Sequence, residues 1–267
     1  MDAIAHISLK RGDELNTMTP EFWRELPQII RNIDANASAR VIVLSAEGRH
    51  FSAGIDLSAF AALEPDEDEE TGRVRARLMR SIQKLQESFT CLEQSRIPVL
   101  AAVQGACIGG ALDLVCACDM RYCTNDAFFT IHEINLGMVA DVGTFPRLAK
   151  LLPDGPLRQL AYTGRKLEAG EAWRLGFVNK VFDSHEAMMA AVMETAREIA
   201  AKSPLAIWGS KEMITYARDH TTADSLKHVA TWQAGMFQQE DVCEGLNAQI
   251  EKRSAEFDDL LADKDLF

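Results

Sequence analysis

Residues 97–144 read IPVLAAVQGACIGGALDLVCACDMRYCTNDAFFTIHEINLGMVADVGT. Pro98 introduces a short apolar run, 99–103, of the kind that forms a buried parallel strand. Gly109-Gly110 then opens a helix predicted to reach about Cys118, and 128–131 reads as a second strand. Strand, Gly-rich turn, helix and strand in this order indicate an α/β fold. Three carboxylates, Asp113, Glu133 and Asp141, interrupt this otherwise apolar stretch. An uncompensated buried carboxylate costs several kcal/mol, roughly, so three in one region point to a site that handles protons.

The same pattern extends outward. Residues 4–9 alternate as a strand, and Thr19-Pro20-Glu21 opens a helix to about Asp34, with Thr19 as N-cap. Val41-Ile42-Val43-Leu44 is a second buried strand, followed by the small-residue turn EGRHFSAGIDL. A helix is expected over 73–94 and another over 144–152. Beyond Glu168 the chain reads as nearly all helix apart from a strand at 178–182, with helices over 184–202, 204–218 and 223–239 and a charged terminal one. Residues 64–70 carry six acids in seven positions and read as a solvated loop.

The chain has 267 residues and a net charge of −12, which disfavours nucleic acid or an anionic membrane as a partner through the overall field. No apolar run approaches the ~18 residues of a membrane span, and no long apolar leader segment is present at the start. Five of the six cysteines, all except Cys243, fall between Cys91 and Cys123 without metal-ligand spacing. They read as buried free thiols, and a cytoplasmic protein without a metal is expected. The histidines are scattered and read as structural or surface groups; His132 is expected to point away from Glu133 on an extended segment.

Two turns, Ala53-Gly54-Ile55-Asp56-Leu57 and Gly109-Gly110-Ala111, follow strands and offer backbone N–H groups unobstructed by large side chains. Two such groups converging on one oxygen make an oxyanion hole; tight packing turns are the plainer alternative. Asp113 has only small neighbours at three and four residues along its helix, which leaves room for a ligand. A hydrogen bond from Asp113 to a neighbouring loop competes with a chemical role. Glu133 lies just past a strand's carboxyl end, where parallel sheets place ligands. For Asp141, a capping or turn role competes with chemistry. Asp56 reads as a loop-stabilising carboxylate.

Taken together, HFSAGIDL, IPVLAAVQGACIGGALDL, ACDMRY and HEINLGMVADVGT resemble the enoyl-CoA hydratase/isomerase (crotonase) family over about residues 4–218. The resemblance implies a crotonase-like spiral of ββα turns over 1–200, with a C-terminal helical trimerisation region over 201–267. It also implies an acyl-CoA thioester substrate, a homotrimer or homohexamer, no cofactor, and an oxyanion hole from the N–H groups of Ala53 and Gly110. Gly54, Ile55, Asp56 and Leu57 would border the substrate. Asp113, Glu133 and the additional Asp141, with RDHTTADSLKHVATW from Arg218, resemble the Δ3,5-Δ2,4-dienoyl-CoA isomerase subgroup of fatty acid beta-oxidation. Its reaction shifts a 3,5-dienoyl-CoA to the 2,4-dienoyl-CoA. The resemblance implies Glu133 as base, Asp141 as acid and Asp113 as the group that tunes or orients Glu133. A plain enoyl-CoA hydratase and a non-catalytic acyl-CoA or protein-binding scaffold are the alternatives. Residues 60–73 are expected to border the acyl pocket; Lys10, Arg11 and Lys211 read first as ordinary surface cations, with a contact to CoA phosphates as the alternative for each.

Overall fold

The computed structural model describes residues 3–56 and 70–264. Its centre is a five-stranded parallel sheet in the order β1 (Ile4–Leu9), β2 (Val41–Ala46), β3 (Val99–Val103), β5 (Met120–Thr124), β8 (Lys180–Phe182). Every residue of β2 and β3 is buried, as a parallel strand covered on both faces requires. Successive side chains point to opposite faces, and the two cores divide accordingly. Ile42, Leu44, Val99, Ala101 and Val103 face the main core. Val41, Val43, Leu100 and Ala102 face Met188, Val192 and Ala196, which lie on α7 (His185–Ala200).

A second layer runs beside this sheet. Ser52 bridges Cys107 of β4 (Ala106–Ile108), Cys107 pairs with Phe129 of β6 (Phe128–Thr130), and Phe129 pairs with Leu167 of β7 (Leu167–Glu168). Thus β2 steps to Ser52, β3 to β4 and β5 to β6, each long strand continuing into a short one of the second layer. Helices follow: α2 (Thr71–Gln94) after the first step and α3 (Gly110–Cys116) after the second. This is the ββα spiral expected from the sequence. α1 (Pro20–Ala35) packs on α2 through Phe22, Trp23 and Phe89, with Trp23 and Phe89 ring centroids 5.0 Å apart.

The central strand β5 was not expected, nor were several short elements: β4, β7, α5 (Asp154–Thr163) and α6 (Ala169–Arg174). Strands of two or three residues are too short for an alternating pattern to register. The helix expected over 144–152 ends early, as α4 (Thr144–Leu148), before a turn that leads to Pro153.

Three helices close the fold: α8 (Pro204–Ala217), α9 (Thr222–Met236) and α10 (Gln239–Glu251). Trp208 of α8 meets Trp232 of α9 edge-on at 4.8 Å. The chain beyond α10 returns to the spiral. Arg40 donates to the Phe257 carbonyl (2.5 Å) and pairs with Asp259 (2.6 Å), and Arg96 donates to the Leu261 carbonyl (3.2 Å). Among the described residues no helix is long and apolar enough to cross a membrane, and no group of three or more His, Cys, Asp or Glu could hold a metal.

Candidate active site

Asp113 sits one turn into α3 and is 1% exposed. Its Oδ1 accepts two hydrogen bonds from Thr144, from the backbone N–H at 2.5 Å and from Oγ1 at 2.7 Å. Thr144 is the first residue of α4, so Asp113 satisfies one of that helix's free N–H groups from outside it. The loop bond that competed with chemistry in the sequence is therefore present. The capping role considered for Asp141 falls to Asp113 instead. Burial pushes the Asp113 carboxyl up to about 7, against the pull of the Thr144 bonds, and the charges of Glu133 and Asp141 add to the rise.

Glu133 opens a 3-10 turn, Glu133–Leu136, directly after β6. His132 adopts helical rather than extended angles here, so the extended segment expected at this position is not formed. The Glu133 carboxyl is partly buried, and among the described residues its Oε2 has no hydrogen-bond partner. Burial first, with a contribution from Asp141, raises its pKa. An unpartnered buried carboxylate oxygen is costly and is typical of a group kept reactive.

Asp141 is exposed in the chain, unlike the buried carboxylate its apolar surroundings suggested. It still lies close enough to add to the rise at both Asp113 and Glu133, and partial burial raises its own pKa. Gln86 of α2 donates to the Asp141 carbonyl at 2.7 Å and holds the loop against that helix. The three acids, 28 residues apart in sequence, thus form one electrostatically coupled cluster.

Beside them the two Gly-rich turns meet. Gly54 has φ +90°, and a Cβ there would stand 2.5 Å from the Ile108 carbonyl and 3.4 Å from the Gly110 nitrogen. Gly109 has φ +55°, and a Cβ there would stand 3.1 Å from Glu133 Oε1. Bare backbone is what lets the turns touch each other and the carboxyl. Gly110 is the first residue of α3, where an N–H lacks an intrahelical acceptor.

Ala53 differs from the sequence expectation. Its N–H is not free but donates to the Leu15 carbonyl at 3.0 Å, because Leu15 takes a left-handed conformation (φ 56°). The Gly54 N–H donates to Ser52 Oγ at 3.1 Å, and Ser52 Oγ donates to the Asn16 carbonyl at 2.8 Å. Ile55 bridges Met18, while Asp56 accepts from Thr17 Oγ1 at 2.9 Å, the loop-stabilising role expected of it. Leu57 and most of the expected acyl-pocket segment lie outside the described residues; α2 begins at Thr71.

Lys211 is not available to a phosphate. It is 7% exposed, pairs with Asp119 at 2.9 Å and donates to the carbonyls of Leu92 (2.6 Å) and Ile97 (3.0 Å). Lys10 is exposed beside Glu47, and Arg11 donates to the Thr17 carbonyl. Buried thiols behave as expected, with Cys91 pushed to about 11 and Cys118 and Cys123 to about 12 by burial. The sequence reading missed Thr144, Gln86 and Ser52. Ser52, within HFSAGIDL, and Thr144, which closes HEINLGMVADVGT, lay in motifs that pointed to them; Gln86 did not.

Comparison with known proteins follows the same lines. Residues 1–260 match the family model described as Enoyl-CoA hydratase/isomerase. The chain is 41% identical over 253 residues to the mitochondrial Delta(3,5)-Delta(2,4)-dienoyl-CoA isomerase of Mus musculus, covering 94% of this chain and 77% of that one. It is 38% identical over 257 residues to the peroxisomal enzyme of the same name from Arabidopsis thaliana, covering 96% and 92%. The crystal structure of an enoyl-CoA hydratase from Bacillus anthracis superposes with a TM-score of 0.86 at 29% identity, covering 96% of each chain. The spiral core, the two touching Gly-rich turns and these likenesses agree: the chain belongs to the enoyl-CoA hydratase/isomerase family.

Proposed function

We propose that the protein isomerises 3,5-dienoyl-CoA to 2,4-dienoyl-CoA. The observation that carries this reading is the gathering of Asp113, Glu133 and Asp141 in one place, each raised by burial, with the charge of Asp141 adding to the rise at the other two. An enzyme that removes one proton and returns another must hold a proton among its acids at the start. Burial raises the Asp141 carboxyl and so favours its proton-bearing form. The family likeness to dienoyl-CoA isomerases of about 40% identity supports the same assignment.

In this mechanism the thioester carbonyl accepts from the Gly110 N–H and from Ala53, whose N–H would be shared with the Leu15 carbonyl as a three-centre bond. Polarisation acidifies C2. Glu133 removes the C2 proton, and the electrons of that C–H bond spread along the conjugated chain to C6. Protonated Asp141 delivers its proton there. Asp113 touches no reacting atom: committed to Thr144, it holds the loop that carries Asp141. Gly54, Ile55, Asp56 and Leu57 would border the substrate. The thioester itself is the electron sink, so the reaction needs no cofactor.

Enoyl-CoA hydration is the alternative at family level. It calls for two carboxylates that share one water, and commitment of Asp113 Oδ1 to Thr144 counts against that arrangement. Mixing the protein with a 3,5-dienoyl-CoA, with hydration of a 2-enoyl-CoA as the parallel assay, separates the two. Growth of the 2,4-dienoyl chromophore, lost by roughly 10²-fold or more in Glu133→Gln and in Asp141→Asn, is expected. Hydration that is indifferent to Asp141→Asn would overturn the reading.

The division into a spiral over 1–200 and an oligomerisation region over 201–267 belongs to this proposal. Ile214, Leu226, Val242, Leu246 and Ile250 on α8–α10 expose apolar surface that a homotrimer or homohexamer would cover. A native mass measurement checks it. A cytoplasmic location is likewise proposed from the free thiols; fractionation would distinguish it from the mitochondrial or peroxisomal locations in the relatives' names.

A further inference from the structure

A cavity of about 380 Å³ lies on the α2 and α8 side of the acid loop. Gln86 and Thr90 of α2, Asp141 and Val142 of the loop, Arg147 of α4 and Thr215 of α8 are among its walls. The cavity is far larger than the ≳ 10–15 Å³, roughly, that one water needs, and its walls are rich in donors and acceptors. Its cations are already paired: Arg147 with Glu93 (2.7 Å), Arg218 with Glu93 (2.8 Å), and Lys150 with Asp219. These pairs leave little unbalanced positive charge for an anion, so water is the occupant the walls suit.

The two proton-handling acids differ in their access to this space. Asp141 is exposed and lines the cavity, whereas Glu133 is partly buried, with Oε2 unpartnered, and is not among the cavity walls. Among the described residues no hydrogen bond joins the two carboxyl groups. After one turnover Glu133 holds the proton taken from C2 and Asp141 has lost its own. The enzyme must exchange these states before it can act again.

We propose that this cavity is the route by which Asp141 recovers its proton from water, so that the enzyme resets through solvent rather than by passing the proton from Glu133 to Asp141. The inference rests on the isomerase reading above. The balance closes: water in the cavity gives one proton to Asp141, Glu133 returns the C2 proton to water as the product leaves, and no net proton is consumed.

The test is many-turnover isomerisation in D2O, with deuterium located by NMR in product sampled at low conversion. Reset through water puts close to one deuterium at C6 in every product molecule. Internal return puts protium from C2 at C6 after the first turnover and overturns the proposal. Thr215→Phe, which fills the cavity from α8, is expected to lower kcat several-fold with KM within about twofold. If that variant does not fold, Thr215→Leu carries the same comparison. Unchanged kcat in a folded, cavity-filled variant would also overturn the route. Absence of any 2,4-dienoyl product from the wild-type protein would sink the isomerase reading itself, a result distinct from product formed with protium at C6.

Discussion

Asp113 and Thr144 are joined twice: the Thr144 N–H and Oγ1 both donate to one carboxylate oxygen, at 2.5 and 2.7 Å. Through this pair α3, which opens at the Gly109-Gly110 turn, holds the start of α4, and with it the loop that carries Asp141. Thr144 is fully buried. Thr144→Val keeps the shape and removes one donor, and it is expected to cost about 1–3 kcal/mol of stability and lower kcat more than KM. Thr144→Ser should restore most of both. Thermal melts and steady-state kinetics on the two variants check this.

The pH dependence of stability follows from the same carboxyl. Its folded pKa, about 7, lies above the ordinary aspartate value of 3.8. The folded state therefore binds more protons between those values, and the contribution to stability is fully present below about 4 and lost as pH rises through about 7. Asp113→Asn removes this term while its carbonyl can still accept from Thr144. Relative to the variant, the wild type should lose stability on the order of 4 kcal/mol at most across that window. Denaturant melts of both proteins at pH 4.5, 6 and 8 measure it, and parallel curves would refute it.

Gly109 holds the Glu133 carboxyl against bare backbone, with 3.1 Å between Oε1 and the place a Cβ would occupy. Gly109→Ala adds both a displaced carboxyl and a backbone strain of about 1–3 kcal/mol, because φ 55° with ψ −119° is closed to residues with a Cβ. Activity should fall by at least tenfold while the fold, read by circular dichroism, persists. Wild-type kcat in this variant would show that the Glu133 position is not critical.

Lys211 ties α8 to the spiral through Asp119 and the carbonyls of Leu92 and Ile97. Lys211→Ala leaves these buried acceptors and a carboxylate without a donor, at a cost of about 3–5 kcal/mol. Affinity for free CoA should not change. A CoA affinity loss with an unchanged melting temperature would instead assign Lys211 to phosphate binding, the alternative considered from the sequence.

The central strands were legible because β2 and β3 bury every side chain, a local constraint written directly into VIVLSA and VLAAV. Helix α1 was legible from Thr19-Pro20 for a related reason, although Thr19 stands at the N-cap without a side-chain bond to the helix. The acids were legible as a set because charged residues in an apolar stretch are conspicuous wherever they end up. Their individual circumstances were not: Asp113 proved fully buried and bonded, and Asp141 exposed.

The amino-acid sequence by itself determined the α/β class, the positions of most of the main strands and helices, with β5 the exception, and the family, since each is carried by contiguous residues. Only the tertiary structure decided that Asp113 answers Thr144, that Ala53 is engaged by Leu15, and that Lys211 is a buried tie rather than a phosphate ligand. Each of these partners lies 31 or more residues away in the chain. A hydrogen bond between distant residues leaves no periodic trace in either segment, because its geometry exists only once the spiral has brought the two together.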